Sequence, residues 1–254
     1  MIWFLAVLGA TDALLSGLEL GLPLLPSGRD LVLSAPGWKR RGRGDTRGGD
    51  GTGGRVWPAA GTLARQLLDA EVLRGGSILE LGAGSGALGC WASAALGGEL
   101  RLTDVDEDAR ALCRENAAAN GLEAVTIEAY ALGAPAPAEY REASLILAAD
   151  VTYDIANIGP LCATLEQVLP MDDSRTPPVV LAAHQHRPLA SLLGRRSTLR
   201  RLKKELDVRG LAFHELCTEE LFAKVVVFEV TRQGRGPTPL ATGKRAPTGA
   251  GGFG

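Results

Sequence analysis

The ten residues Glu80-Leu81-Gly82-Ala83-Gly84-Ser85-Gly86-Ala87-Leu88-Gly89 set a carboxylate just ahead of four closely spaced glycines. Glycines there let the backbone turn tightly and let a ligand lie against it, with the amides of a following helix just beyond. Gly84, Gly86 and Gly89 satisfy G-x-G-x-x-G, the spacing that cradles a dinucleotide, while Gly82, Gly84 and Gly86 form an alternative frame. Farther on, Asp104 closes the strand candidate Leu-Arg-Leu-Thr, where an acid accepts hydrogen bonds from both ribose hydroxyls of an adenosine. These features suit NAD and S-adenosyl-L-methionine equally. Two others favour the second. Glu80, inside the strand end, would face a sulfonium and an amino group, but answers no need beside a pyrophosphate. Asp150-Val151-Thr152-Tyr153 leaves another apolar strand and offers an acid and a phenol at its carboxyl end. Alone, Glu80 reads as a helix-capping carboxylate or a strand-end one in water, and Asp150 as a helix N-cap; both falling at one crevice argues for a site. His184 and His186, two apart on a strand, point to one face, but no cysteine or acid stands where it would complete a metal site. They are expected to be polar residues near the substrate rim, and no metal is expected.

Such residues work together only if strand ends converge. After Gly75-Gly76, the segment Ser-Ile-Leu-Glu-Leu reads as a buried strand, followed by the glycine turn and an Ala/Leu-rich helix over 87–96. The pattern repeats: Leu-Arg-Leu-Thr, a helix over 107–120 stopped by Gly121, a strand over 124–130, a strand over 144–150, a helix over 158–169, and a strand from Pro178 to His186. A charged helix over 197–208, a short strand around 213–216 and a long apolar strand, Ala-Lys-Val-Val-Val-Phe-Glu-Val-Thr, complete it, the last expected to insert antiparallel. Before all of these, apolar residues at helical spacing and Pro58 in a first turn predict a helix over 57–72. Strand and helix alternating in this way imply an α/β doubly wound, mostly parallel seven-stranded sheet with helices on both faces. Ligands bind such sheets at the carboxyl ends of the strands.

Composition bounds the rest. With 254 residues, 46% hydrophobic and 22% charged, the chain holds one domain and some excess, and it is neither wholly disordered nor collagen-like. Lys+Arg 27 against Asp+Glu 29 leaves a net charge of −2, which argues against a chain-wide grip on nucleic acid. Four scattered cysteines without a C-x-x-C pair point to a reducing compartment. Much of the excess is glycine: residues 37–54 hold 8 Gly and 5 Lys or Arg, a linker, and 233–254 read as a disordered tail. Residues 1–36 are apolar, but Asp12, Glu19 and prolines interrupt them, and they lack the basic start of a secretory signal. An accessory helix or hairpin packed on the domain of residues 55–232 is expected there, or a wrongly assigned start, and no membrane span. The basic segment Arg-Arg-Ser-Thr-Leu-Arg-Arg-Leu-Lys-Lys-Glu-Leu reads as a solvated helical face.

From Gly54 to Tyr153 the chain resembles the class I, seven-β-strand S-adenosyl-L-methionine-dependent methyltransferases of Rossmann-like fold. More narrowly it resembles methyltransferase family 16, protein-lysine methyltransferases with an Asp-x-x-Tyr motif. The matching segments are GRVWPAAGTLARQL, ILELGAGSGALG, LTDVDEDARALCRENAAANG and LILAADVTYD, in order and at the family's spacing. The resemblance implies a cofactor pocket walled by Trp57, with Glu80 and Gly86 at the loop. Gly82, Ala83 and Gly84 would lie along methionine and ribose, Asp104 on the ribose hydroxyls, and Ala149 against the cofactor. Asp150 and Tyr153 would border the incoming lysine as catalytic residues. Members often carry a Trp near adenine after the third strand; here Tyr130-Ala131-Leu132-Gly133 stands in its place, leaving Leu132 apolar contact without stacking, or Tyr130 to compensate. The implied partner is a protein presenting a lysine, in cytoplasm or nucleus. Arginine or small-molecule methylation, an NAD(P)-dependent oxidoreductase and an inactive cofactor-binding scaffold remain as alternatives.

Overall fold

Alternation along the central strands decides the architecture. In Ile78–Leu81 (β3), Ile78 packs with one buried cluster, while Leu79 and Leu81 pack with another on the opposite side. Leu145–Ala149 (β6) divides likewise, Leu145 and Leu147 against Ile146 and Ala148. A strand with two apolar faces is stable only in the middle of a layered fold. The computed structural model describes residues 14–34, 53–68, 70, 73–171, 176–186, 198–220 and 224–240.

Within these residues the main sheet has seven strands in the order β5-β4-β3-β6-β7-β9-β8. Leu100–Thr103 (β4), Val125–Glu128 (β5), β3, β6 and Val179–Gln185 (β7) run parallel; Val225–Arg232 (β9) lies antiparallel between β7 and Leu211–Glu219 (β8). The chain starts in the middle at β3, moves outward through β4 and β5, and returns to β6, so β3 and β6 flank the switch point. One face carries the helices Pro58–Leu67 (α1), Ala87–Leu96 (α2) and Glu107–Ala119 (α3); the other carries Ile158–Val168 (α4) and Thr198–Val208 (α5). Pro58 opens α1, and the Asp106 carboxylate caps α3 by accepting from the Asp108 amide at 3.0 Å. The expected seven-stranded, mostly parallel sheet with helices on both faces is the observed one.

The structure departs from the sequence-based expectation at the edges. The short strand expected at 213–216 is nine residues long and bulged between Glu215 and Cys217; its half-exposed edge position gives no clean apolar run. Helix α1 ends at Leu67, short of the expected 72. The apolar N-terminal segment contains an antiparallel hairpin, Leu14–Ser16 (β1) with Val32–Ser34 (β2), whose Leu22, Leu25, Leu31 and Leu33 are buried in the core of α1, α2 and α3. No helix among the described residues is long and apolar enough to cross a membrane. The stretch expected to be a disordered tail is tied down at its start. Thr238 donates from its amide and hydroxyl to the two oxygens of buried Glu229, at 2.8 and 2.7 Å, because that carboxylate needs donors once β9 takes it into the sheet. Residues 35–52, nearly all of the expected linker, and residues 241–254 lie outside the described part.

Candidate active site

The strand ends that converge at the switch point enclose a cavity of about 650 Å³. Trp57, Glu80, Gly82, Ala83, Gly84, Asp104, Leu132, Ala149, Asp150 and Tyr153 all line it. Gly86 does not: a side chain there would press within 2.9 Å of Cys113 Sγ and Leu102 Cδ1, so this glycine serves the packing of α2 on β4 and α3. Gly84, which lines the cavity, has φ +55° and the Gly53 carbonyl packed over it so closely that a Cβ would sit 2.9 Å away. The end of the expected linker therefore covers the loop, and Gly53, Arg55 and Val56 line the cavity with Trp57. Arg55 and Val56 stand in the segment GRVWPAAGTLARQL, whereas nothing local marked Gly53, which belongs to a low-complexity run.

Asp104 holds the loop to the end of β4. Its two carboxylate oxygens accept from the Gly84 amide at 2.8 Å and the Asp106 amide at 2.9 Å. Burial raises its pKa above the usual carboxylate value, the two amides opposing the shift. Glu80 sits deeper, 2% exposed, with Oε2 accepting from the Gly89 amide at 2.9 Å. A Cβ at position 89 would stand 2.6 Å from that oxygen, so the last glycine of the dinucleotide-like frame lets the carboxylate reach the helix backbone. Glu80 is thus not a strand-end acid in water, and it does bind a first-turn amide of the following helix, as the helix-capping reading expects. Burial pushes its pKa up to about 8, the Gly89 amide pulling down and Asp104 adding to the rise.

A stability test follows. The folded state holds this proton far more tightly than the unfolded chain, whose glutamate titrates near 4.5. The contribution is complete below that value and is lost as pH rises through about 8. Glu80→Gln removes it, so thermal unfolding without cofactor should show the wild type losing stability from pH 5 to 8.5 relative to the variant, by at most about 1.4 kcal/mol per pH unit. Parallel curves would show that Glu80 is ionised throughout.

At the other side of the cavity, Asp150 has φ +56°, the only positive φ of a non-glycine among the described residues. Aspartate tolerates this conformation better than most side chains, and such strain persists only where the surroundings enforce it. Three residues of β7 enforce it. The Asp150 amide donates to the Ala183 carbonyl at 2.8 Å, and Asp150 Oδ1 accepts from the Gln185 amide at 3.2 Å. Between them, His184 Nδ1 is hydrogen-bonded to Thr152 Oγ1 at 2.8 Å, and its Nε2 to Thr198 Oγ1 at 3.1 Å. His184 is thus buried beneath the motif rather than placed at the rim, and hydroxyls occupy both ring nitrogens. Among the described residues no three His, Cys, Asp or Glu side chains are grouped to hold a metal ion. Asp150 is 3% exposed, whereas Tyr153 is 37% exposed at the mouth.

On the remaining wall, Leu132 and Val105 give apolar surface. Tyr130 also borders the cavity, but its hydroxyl donates to the Ala134 carbonyl at 3.0 Å and meets Thr164 Oγ1 at 3.1 Å, with its ring edge-on to Tyr140 at 5.0 Å. Its hydroxyl and one ring edge are thus held by the core while it borders the cavity. The lining as a whole is acidic: Glu80, Asp104, Asp106, Asp150 and Asp154 face one guanidinium, Arg55, which lies 5.3 Å from the Trp57 ring centroid.

The profile of a family described as lysine methyltransferase matches residues 44–193, more than half of the chain. Three solved structures share the fold at low identity. The ribosomal protein L11 methylase of Lactobacillus delbrueckii subsp. bulgaricus is 16% identical, with a TM-score of 0.52 over 70% of this chain and 81% of its own. The YcgJ protein of Bacillus subtilis is 14% identical, with a TM-score of 0.55 over 69% and 99%. A SAM-dependent methyltransferase of Geobacter sulfurreducens, solved with S-adenosyl-L-homocysteine, is 15% identical, with a TM-score of 0.50 over 69% and 90%. No curated protein matches the chain.

Proposed function

Since the chain belongs to the lysine methyltransferase family, we propose that this S-adenosyl-L-methionine-dependent methyltransferase acts on the side-chain amine of a protein lysine. The observation that carries the acceptor is the acidic lining, Asp104, Asp106, Asp150 and Asp154 against one guanidinium, with Glu80 adding a charge only once it gives up the proton that burial holds on it. A site so charged favours a cationic side chain and repels the phosphates of a nucleic acid. The cavity also suits the cofactor. Its volume of about 650 Å³ is in the range of small-molecule sites, and the glycine loop leaves backbone open to a ligand. Asp104 retains acceptor capacity on each oxygen for ribose hydroxyls.

When bound, S-adenosyl-L-methionine supplies a methyl group on a positively charged sulfur, which moves in line to a nucleophile while the carbon–sulfur electron pair returns to sulfur. The rest is alignment by this chain. Glu80, protonated at neutral pH without cofactor, releases that proton to solvent and meets the cofactor's positive end as a carboxylate, and Trp57 and Ala149 wall it. Asp150 orients the incoming ammonium, and the Tyr153 ring narrows the mouth and its hydroxyl takes a hydrogen bond from the amine. A lysine with a pKa near ~10.4 must lose a proton before its lone pair can attack, and that proton leaves to water through the mouth.

The test is transfer of radiolabelled methyl groups from the cofactor to whole-cell extract, followed by identification of the labelled residue. Methyl-lysine in a protein is the expected product. Label in arginine or only in small molecules would overturn the acceptor, and cofactor binding without transfer would favour the inactive scaffold. The protein's site of action is proposed as cytoplasm or nucleus.

A further inference from the structure

We propose that the N-terminal hairpin is a working part of the cofactor site, and that Asn116 is the positioning residue joining the two. Asn116 is fully buried on α3. Its Oδ1 accepts from the Ser34 amide of the hairpin at 2.6 Å, and its Nδ2 donates to the carbonyl of Ser85, in the glycine loop, at 2.8 Å. One amide side chain thus satisfies a hairpin donor and a loop acceptor at once. One turn earlier on the same helix, Cys113 Sγ contacts the Gly84 carbonyl at 3.2 Å, so α3 holds two successive carbonyls of the loop. One turn later, at the end of the helix, Asn120 binds the hairpin, accepting from the Val32 amide at 3.0 Å and donating to the Val32 carbonyl at 2.6 Å, and donates also to the Asn116 carbonyl at 2.8 Å.

The hairpin is also fixed to the elements on either side of the loop. The Trp91 indole of α2 donates to the Pro23 carbonyl at 2.7 Å. Gly61 of α1 lies against the Gly21 carbonyl with no room for a Cβ, and Arg65 donates to that carbonyl at 3.1 Å. The hairpin therefore braces α1, α2 and α3 together, and Asn116 carries the brace to the loop backbone. A contact that orders the loop favours cofactor binding, and by linkage the cofactor must favour the docked hairpin to the same degree. This coupling requires no particular methyl acceptor.

Full-length wild type, Asn116→Ala and Asn120→Ala are titrated with S-adenosyl-L-homocysteine by calorimetry, and amide hydrogen exchange of residues 31–34 is followed with and without it. Asn116→Ala should weaken binding ~10-fold, the scale of one buried hydrogen bond. Asn120→Ala, which loses the hairpin and the Asn116 backbone carbonyl but no atom of the glycine loop, should weaken it ~3-fold, and should add nothing in the Asn116→Ala background, where the side-chain route to the loop is already cut. In the wild type the ligand should slow exchange of the hairpin amides. A merely structural role would lower thermal stability without that ligand-dependent protection. The proposal fails if Asn120→Ala speeds hairpin exchange yet binds S-adenosyl-L-homocysteine as the wild type does, or if the ligand leaves wild-type hairpin exchange unchanged. Either reading stands even where Asn116→Ala does not fold.

Discussion

Asp150→Gly should abolish methyl transfer, at least ~100-fold below wild type, with little net change in stability, since relief of the positive φ offsets the acceptor lost to the Gln185 amide. The two effects have separate causes in one residue. The φ of +56° costs any residue with a Cβ about 1 kcal/mol, and glycine removes that cost. The same change deletes the buried carboxylate that accepts from the Gln185 amide and borders the mouth with Tyr153. Asp150→Asn keeps the tolerance for positive φ and an oxygen for the Gln185 amide, but gives up the charge. Its transfer rate should fall ~10–100-fold at unchanged melting temperature. Both variants should bind S-adenosyl-L-homocysteine within ~3-fold of wild type, since Asp104 and the glycine loop are untouched. Turnover with the labelled cofactor, calorimetry and thermal melts make the comparison. Full turnover in Asp150→Asn would remove the carboxylate from the transfer step.

What could be read from the sequence was whatever lies next to a strand end. In a parallel sheet every strand delivers its carboxyl end to the same edge, so Glu80 through Gly84 after β3, Asp104 after β4, Leu132 past β5 and Ala149, Asp150 and Tyr153 after β6 meet at one cavity without any long-range contact being known. Trp57 joins them from the turn before α1. The missing parts depend on contacts between distant residues. Ser34 and Asn116 are 82 positions apart, and neither the short strand Val32–Ser34 nor an asparagine within a helix has a periodicity that announces the other. Gly53 sits near the end of a glycine-rich run whose composition says only that it is poor in apolar side chains. Gly86 fits a ligand-binding frame by spacing, yet packs against Leu102 and Cys113; spacing alone does not tell which face of a turn a glycine presents. His184 is the same case inverted, a residue with catalytic chemistry that holds a loop in place.

Asp104→Ala should weaken S-adenosyl-L-homocysteine binding ~100–1,000-fold while leaving turnover at saturating cofactor within ~10-fold of wild type. The first effect sums two losses. Both oxygens already accept a backbone amide, so removing the carboxylate frees the Gly84 peptide of the loop as well as the hydrogen bonds available to the ribose. The second follows from distance: the acid lies at the end of β4, on the far side of β3 from β6 and Asp150, and its hydrogen bonds are the same before and during transfer. Asparagine is no conservative replacement. Whichever way its amide turns, an N–H₂ group meets either the Gly84 or the Asp106 amide, donor against donor, so Asp104→Asn should fall near Asp104→Ala rather than near wild type. Acidification should act in the same direction. Burial raises the Asp104 pKa, and protonation cancels an acceptor lone pair and the charge that draws the hydroxyls, so wild-type affinity should decline as pH falls and the alanine variant should keep only the part of that decline due to Glu80. A variant that kept wild-type affinity but lost turnover would reverse the assignment, moving Asp104 from the holding of the cofactor to the transfer itself.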